Sequence, residues 1–214
     1  MDLFFLDFET TGLNPYLNHI IEVAIKKYEV DTPYQTLIKP ERLPPGIVRY
    51  IPPHITNLTK ITDTMIEKDS IDEKNALYNM FQYIEKYSKK EGPIYIVAHN
   101  GTTFDFIIFR RLIHKYIKEK NFTRFQKLLL NRFKYIDTLL LARYFLSDRE
   151  RVNQPKLCKK YNIKNDSEHR ALGDINALEK IYINLCHDYS LQIGEEKDYI
   201  LNNPEKIIQD SFLS

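Results

Sequence analysis

The chain has little that could staple it shut or anchor it in a bilayer. Its two cysteines, Cys158 and Cys186, are too few and too far apart for a disulfide scaffold or a zinc site, and read as buried, reduced thiols. No apolar run approaches the roughly 18 residues that a membrane span needs. The opening nine residues are apolar but short, and they carry Asp2, Asp7 and Glu9 where a secretory leader carries a basic lead. An intracellular protein is expected, cytoplasmic or, in a nucleated cell, nuclear. Neither sign of charge dominates, with 31 Lys and Arg against 29 Asp and Glu, so bulk electrostatics does not mark a nucleic-acid binder. No internal repeat or low-complexity linker divides the 214 residues, a length that suits one domain with a sizeable core.

What is present is unevenly placed. Between residues 106 and 134 stand Arg110, Arg111, Lys115, Lys118, Lys120, Arg124, Lys127, Arg132 and Lys134, with Glu119 the one acid among them. Such a stretch is either a solvated helix face or a track for phosphates, and it gains meaning only beside an active site. Strands are expected over residues 3–7, 20–28, 34–39, 95–98 and 134–136, the first three as an antiparallel meander. Helices are expected over 73–87, 104–117, 138–145, 155–161 and 170–185, and a proline-rich loop over 40–53. Three strands followed by alternating helices and strands imply an α/β protein, a mixed five-stranded sheet with helices on its faces. Residues 187–214 read as an extension, either part of the same domain or a loose tail.

Four carboxylates fall where carboxylates are expensive. Asp105 lies three and four residues before Ile108 and Phe109, on the apolar stripe of its helix. Asp174 stands in the same relation to Ala177 and Leu178 on the last long helix. N-capping or the helix dipole would explain either one alone. Asp7 and Glu9, two apart at the end of a very apolar strand, project on one face and raise each other's pKa. A buried ionised carboxylate costs several kcal/mol unless a cation meets it. A hard divalent ion, Mg²⁺ or Mn²⁺, resolves the whole set because it prefers carboxylate oxygen.

His169 precedes Asp174 by five residues, about 140° around a helix axis. It therefore belongs on the loop just ahead of the helix, close to an ion anchored by Asp174. His19, His54, His114 and His187 read as ordinary solvated histidines. His99, at a strand end beside Asn100-Gly101, lies between the two cases.

Three ordered segments resemble the motifs of the DEDDh (DnaQ-like) 3′→5′ exonucleases of the ribonuclease H-like fold. They are Phe5-Leu6-Asp7-Phe8-Glu9-Thr10-Thr11-Gly12-Leu13, Ala98-His99-Asn100-Gly101-Thr102-Thr103-Phe104-Asp105 and His169-Arg170-Ala171-Leu172-Gly173-Asp174-Ile175-Asn176-Ala177-Leu178. The loop 55–63 and the passage 136–143 are similar to family segments as well, so the resemblance covers about residues 3–186. The second motif has one residue more than the bacterial polymerase III epsilon type. In that spacing it looks more like the three-prime repair exonucleases. Lys60 stands where many members have glycine.

The resemblance implies that Asp7, Glu9, Asp105 and Asp174 hold two Mg²⁺ ions, with Mn²⁺ able to substitute, and that His169 is the general base. It implies release of nucleoside 5′-monophosphates from a nucleic acid with a free 3′ end, DNA ahead of RNA, in repair or proofreading. Backbone near Thr10 would bind the terminal hydroxyl, Leu13 would wedge against the last base, and Phe104 would line its other side. His99 and Asn100 would position the strand, and the basic residues after Asp105 would track its phosphates. Leu13 and Phe104 would equally suit a core, and His99 and Asn100 a capped turn. Further partners left open are a polymerase or a second copy of the chain. The rival readings are an exoribonuclease of the same fold and a binding module that has lost catalysis.

Overall fold

The computed structural model describes residues 1–40, 51–118, 122–146, 152–165 and 167–211. The meander forms as the alternating apolar runs dictate. Strand β1 (Asp2–Thr10) pairs antiparallel with β2 (Ile20–Lys27), and β2 with β3 (Tyr34–Ile38). Two short helices follow, α1 (Pro53–Thr59) and α2 (Asp63–Asp69), then the two-residue strand β4 (Ser70–Ile71), parallel to β3. Helix α3 (Glu73–Tyr87) leads to β5 (Ile94–Ala98), parallel to β1. Helices α4 (Asp105–Tyr116) and α5 (Arg124–Leu129) and a 3₁₀ turn lead to β6 (Phe133–Asp137), parallel to β5. The chain closes with α6 (Thr138–Phe145), α7 (Gln154–Lys160), α8 (Ala171–Gln192), α9 (Tyr199–Asn202) and α10 (Pro204–Ser211).

The sheet is mixed and six-stranded, in the order β4-β3-β2-β1-β5-β6, where five strands were expected. The extra strand, Ser70–Ile71, is too short to produce an apolar run. The stretch expected as a loop, 55–63, holds α1 and the start of α2. Pro53 opens α1, where its missing N–H costs nothing. Lys60 closes it with φ 61, in the left-handed region that glycine adopts most readily. Positions 41–50 of the proline-rich stretch lie outside the described residues.

Because β1 is central, both of its faces are covered. Leu3 and Phe5 face α6, α7 and α8, while Phe4, Leu6 and Phe8 face α3 and α4, and all five are buried. Tyr182 of α8 meets Phe5 edge to face, with ring centroids 5.9 Å apart. Burying each such side chain contributes about 1.5–3 kcal/mol. This alternation sets up the site: the face that carries Leu3 and Phe5 carries Asp7 and Glu9 next, where the apolar layer ends. Helix α8 runs to Gln192, beyond the expected end at 185. The extension past residue 186 completes α8 and packs through Ile200, Leu201 and Ile207 on the same core, and Glu205 accepts a 2.8 Å hydrogen bond from the Tyr95 hydroxyl. Residues 212–214 lie outside the described residues. No helix among the described residues is long and apolar enough to cross a membrane.

Candidate active site

Strand β1 delivers Asp7 and Glu9 to one corner of the sheet, and the first turn of α8 delivers Asp174. Carboxylate oxygens of these three lie within 4.8 Å of one another. Asp105 starts α4 and is 3% exposed. One of its oxygens accepts the Phe8 N–H at 3.1 Å, which ties α4 to β1. Asp105 lines the same cavity as the other three, without belonging to the tight triplet.

The electrostatics of this corner is uphill. Burial, then Asp105, Glu9 and Asp174, hold the Asp7 carboxyl far above the usual carboxylate range. Burial, then Asp174 and Glu22, push Glu9 up to about 8. Burial raises Asp105 to about 7 against the hydrogen bond from Phe8, and burial also raises Asp174. Each acid thus suffers from desolvation and from its neighbours, the pattern that a divalent cation relieves. The donor set fits a hard ion, being carboxylate oxygen throughout. Cys158 also reaches the cavity, but burial raises its pKa and keeps it a thiol.

His169 sits, as its spacing required, on the turn just ahead of α8. Its φ is 62, and its side chain is 44% exposed, with Nε2 3.7 Å from Glu168. The turn is fixed from several sides. Asn165 donates to an Asp174 carboxylate oxygen at 2.8 Å, and Gln154 donates to the Asp174 carbonyl at 2.9 Å. Gly173 allows the closest approach: a Cβ there would stand 2.3 Å from the Ser167 carbonyl oxygen.

The cavity of about 520 Å³ suits one small ligand or one end of a larger one. Leu13 forms its rim and is 91% exposed, so it is no core residue. Phe104 lines the wall just ahead of α4 and also packs on the core. His99 bonds Thr138 Oγ1 through Nδ1 at 3.0 Å, and burial lowers its pKa to about 4, leaving it neutral. Asn100 reaches the cavity in the left-handed conformation, φ 60, and its side-chain oxygen accepts from the Thr103 hydroxyl, which is a turn-capping arrangement. Asp137 fixes that turn by accepting the N–H groups of Asn100 and Thr102, both at 2.9 Å. Thr10 is buried and is not part of the cavity wall; its hydroxyl donates to the Gly12 carbonyl at 2.6 Å.

Among the polar wall residues, Gln154, Lys159, Asn165 and Glu168 were not expected from the sequence. On a short polar helix and a turn they look like any solvated surface. The expected basic track also changes character. Arg111 donates to the carbonyls of Pro15 and Asn18, Arg110 lies over the Tyr135 ring, Lys115 pairs with Glu73, and Arg132 donates to the carbonyls of Lys89 and Gly92. These four cations serve the fold, and Lys120 lies outside the described residues.

Clustered acids at the end of the central strand of a mixed sheet, closed by the first turn of a long helix, give a ribonuclease H-like α/β fold with a carboxylate cluster that could hold a metal ion. The chain belongs to the RNase T family, described as Exonuclease, whose family model matches residues 4–182. Among curated relatives, Exonuclease DPD1, chloroplastic/mitochondrial, of Arabidopsis thaliana is 28% identical over 88% of this chain and 57% of its own length. DNA polymerase III PolC-type of Thermotoga petrophila is 31% identical over 83% of this chain but 11% of its own. The chain therefore spans little more than half of the first relative and a tenth of the second. In fold it is similar to E. coli exonuclease I in complex with a dT13 oligonucleotide, at TM-score 0.62 and 18% identity over 86% of this chain and 40% of that one. It is similar also to exonuclease I from Methylocaldum szegediense, at TM-score 0.64 and 16% identity over 94% and 43%.

Proposed function

We propose that this protein is a metal-dependent 3′→5′ exonuclease that removes nucleoside 5′-monophosphates from single-stranded or frayed DNA ends. The observation that carries the proposal is the meeting, in one cavity, of the Asp7, Glu9 and Asp174 oxygens with Asp105 and the half-exposed His169. Asp7, Glu9 and Asp174 would hold one divalent ion and Asp7 with Asp105 a second, Mg²⁺ by chemistry and Mn²⁺ by substitution. Bound there, such ions would supply positive charge against the negative charge that develops in phosphoryl transfer.

The chain's own residues do the rest. His169, on the solvent side of the acids, takes a proton from the attacking water. Leu13, exposed on the rim, packs against the terminal base, and Phe104 flanks it. Neutral His99, held by Thr138, adds no charge and keeps the wall in place. Preference for DNA is supported by the relatives, one a DNA polymerase by name and one solved with an oligodeoxynucleotide, and by the second motif's similarity to the three-prime repair exonucleases. The PolC-type relative, in which the matching segment is a small part of a polymerase, supports a polymerase as partner.

The test is a single-stranded oligodeoxynucleotide labelled at either end, incubated with Mg²⁺ and with Mg²⁺ plus chelator, beside duplex DNA and RNA. The 5′-labelled strand should shorten in single steps, the 3′ label should leave as a mononucleotide at once, and chelator should stop both. Loss of the 5′ label first, or turnover unaffected by chelator, contradicts the proposal. Faster loss of RNA than of DNA moves the substrate to RNA.

A further inference from the structure

One further carboxylate borders the acids, and it is used differently. Glu22 on β2 is the direct cross-strand partner of Glu9 and is completely buried. Opposite residues of an antiparallel pair project on the same face, so position alone would make Glu22 one more acid of the cluster. Its oxygens are taken. Oε1 accepts from Arg170 Nη2 at 2.7 Å and Gln35 Nε2 at 2.8 Å. Oε2 accepts from Arg170 Nε at 3.1 Å and the Ala171 N–H at 3.0 Å. With two lone pairs on each oxygen, these four donors leave nothing to offer an ion. The bidentate guanidinium is the partner that a buried carboxylate requires.

What Glu22 grips is the junction between two functional elements. Ala171 is the first residue of α8, and Arg170, at its N-cap position, makes no capping bond of its own. The strand residue therefore caps the helix from outside, satisfying one of its free N–H groups. Asp174 follows within the first turn. His169 precedes Arg170 directly and holds φ 62, a conformation that a non-glycine residue keeps only where its surroundings impose it. The same guanidinium is the cation that acts on Glu9.

We propose that Glu22 is a positioning residue for hydrolysis: through Arg170 and Ala171 it sets the placement of His169 and Asp174 against the acids of β1. The proposal rests on the hydrolytic reading of the site given above. Three variants test it, Glu22→Gln, Arg170→Ala and Arg170→Lys, each assayed on a labelled single strand with Mn²⁺. Amide hydrogen exchange over residues 163–176 is followed in parallel.

Arg170→Ala should lower kcat at least thirtyfold with KM within threefold, and Glu22→Gln about tenfold. Arg170→Lys, which keeps the charge but loses the two-pronged fit, should fall between Arg170→Ala and the wild type. In the Arg170→Ala and Glu22→Gln chains, exchange should quicken at least tenfold over 167–174 and stay unchanged over 3–8. A clamp that merely stabilises the fold would lower Tm and leave kcat per folded molecule as it was, and that result overturns the proposal, as does unchanged exchange around His169. If Glu22→Gln does not fold, Arg170, whose side chain is 30% exposed, carries the test from the other side of the pair. Absence of any nuclease activity in the wild type would refute the hydrolytic reading instead, and the exchange measurement would still decide whether Glu22 sets the turn.

Discussion

Replacing Glu9 by glutamine should make the metal-free protein more stable while destroying its activity. In the fold Glu9 titrates at about 8 against an ordinary 4.5, because it is buried beside Asp174 and Glu22. A carboxyl with a raised pKa contributes fully to stability below its unfolded value. That contribution is lost progressively as pH climbs from about 4.5 to about 8. Each pH step of one within that window costs about 1.4 kcal/mol, so the loss at pH 7 reaches about 3 kcal/mol. An amide cannot ionise and escapes the loss. In a chain of this size about 3 kcal/mol corresponds to a rise in Tm of roughly 6–12 °C.

The assay is thermal or urea unfolding of both chains in chelator at half-unit steps from pH 4 to pH 8.5. The curves should coincide near pH 4 and separate steadily above it, the variant being the more stable. At pH 7 the order should reverse once Mn²⁺ stands at about one thousand times its Kd, where it adds about 4.1 kcal/mol to the chain that keeps all its ligands. A variant no more stable than the wild type at pH 8 in chelator, or a gap independent of pH, would refute the electrostatic reasoning.

Three further outcomes follow from the same geometry. Asp7→Asn and Asp174→Asn should each abolish nuclease activity while keeping the native circular dichroism spectrum, so measurable turnover by either purified variant counts against its assignment. His169→Ala should lower kcat a hundredfold or more, the lower end of general acid–base catalysis, and should flatten the limb of the pH–rate profile near neutrality; an unaltered profile removes His169 from that role. Gly173→Ala places a Cβ 2.3 Å from the Ser167 carbonyl, which cannot yield as a side-chain tip can, and should lower both Tm and kcat by displacing the His169 turn. Unchanged values in that variant would show that the turn is not held tightly against α8.

The acids were legible because each broke a period. Asp7 and Glu9 interrupt a buried strand at alternate positions, and Asp105 and Asp174 sit on apolar helical stripes, so pattern marked all four as inward-facing, and the need for a cation and the family resemblance gathered them. His169 was readable as a spacing that no single helix face can satisfy. Helices α3 and α6 followed from periodicity with the bounds expected.

Strand β4 did not, since two residues carry no period, and α1 depends on a left-handed Lys60 that composition does not announce. Gln154, Lys159 and Asn165 join the cavity through the packing of α7 and its turn on α8, a tertiary fact. Glu22 is the instructive omission. It stands between Ile21 and Val23 in a buried strand and carried the same signal as Asp105. Its partner Arg170, so far along the chain, gave no local hint.

Asp7, Glu9, Asp105 and Asp174 are proposed to hold divalent cations together, and direct sight of the ions tests this. Crystals grown with Mn²⁺ and measured at its absorption edge address it directly. Anomalous density should appear between the Asp7, Glu9 and Asp174 carboxylates, with a second peak on the Asp105 side, and should disappear in Asp7→Asn crystals. Well-ordered crystals with the four side chains in place and no anomalous density among them would contradict it.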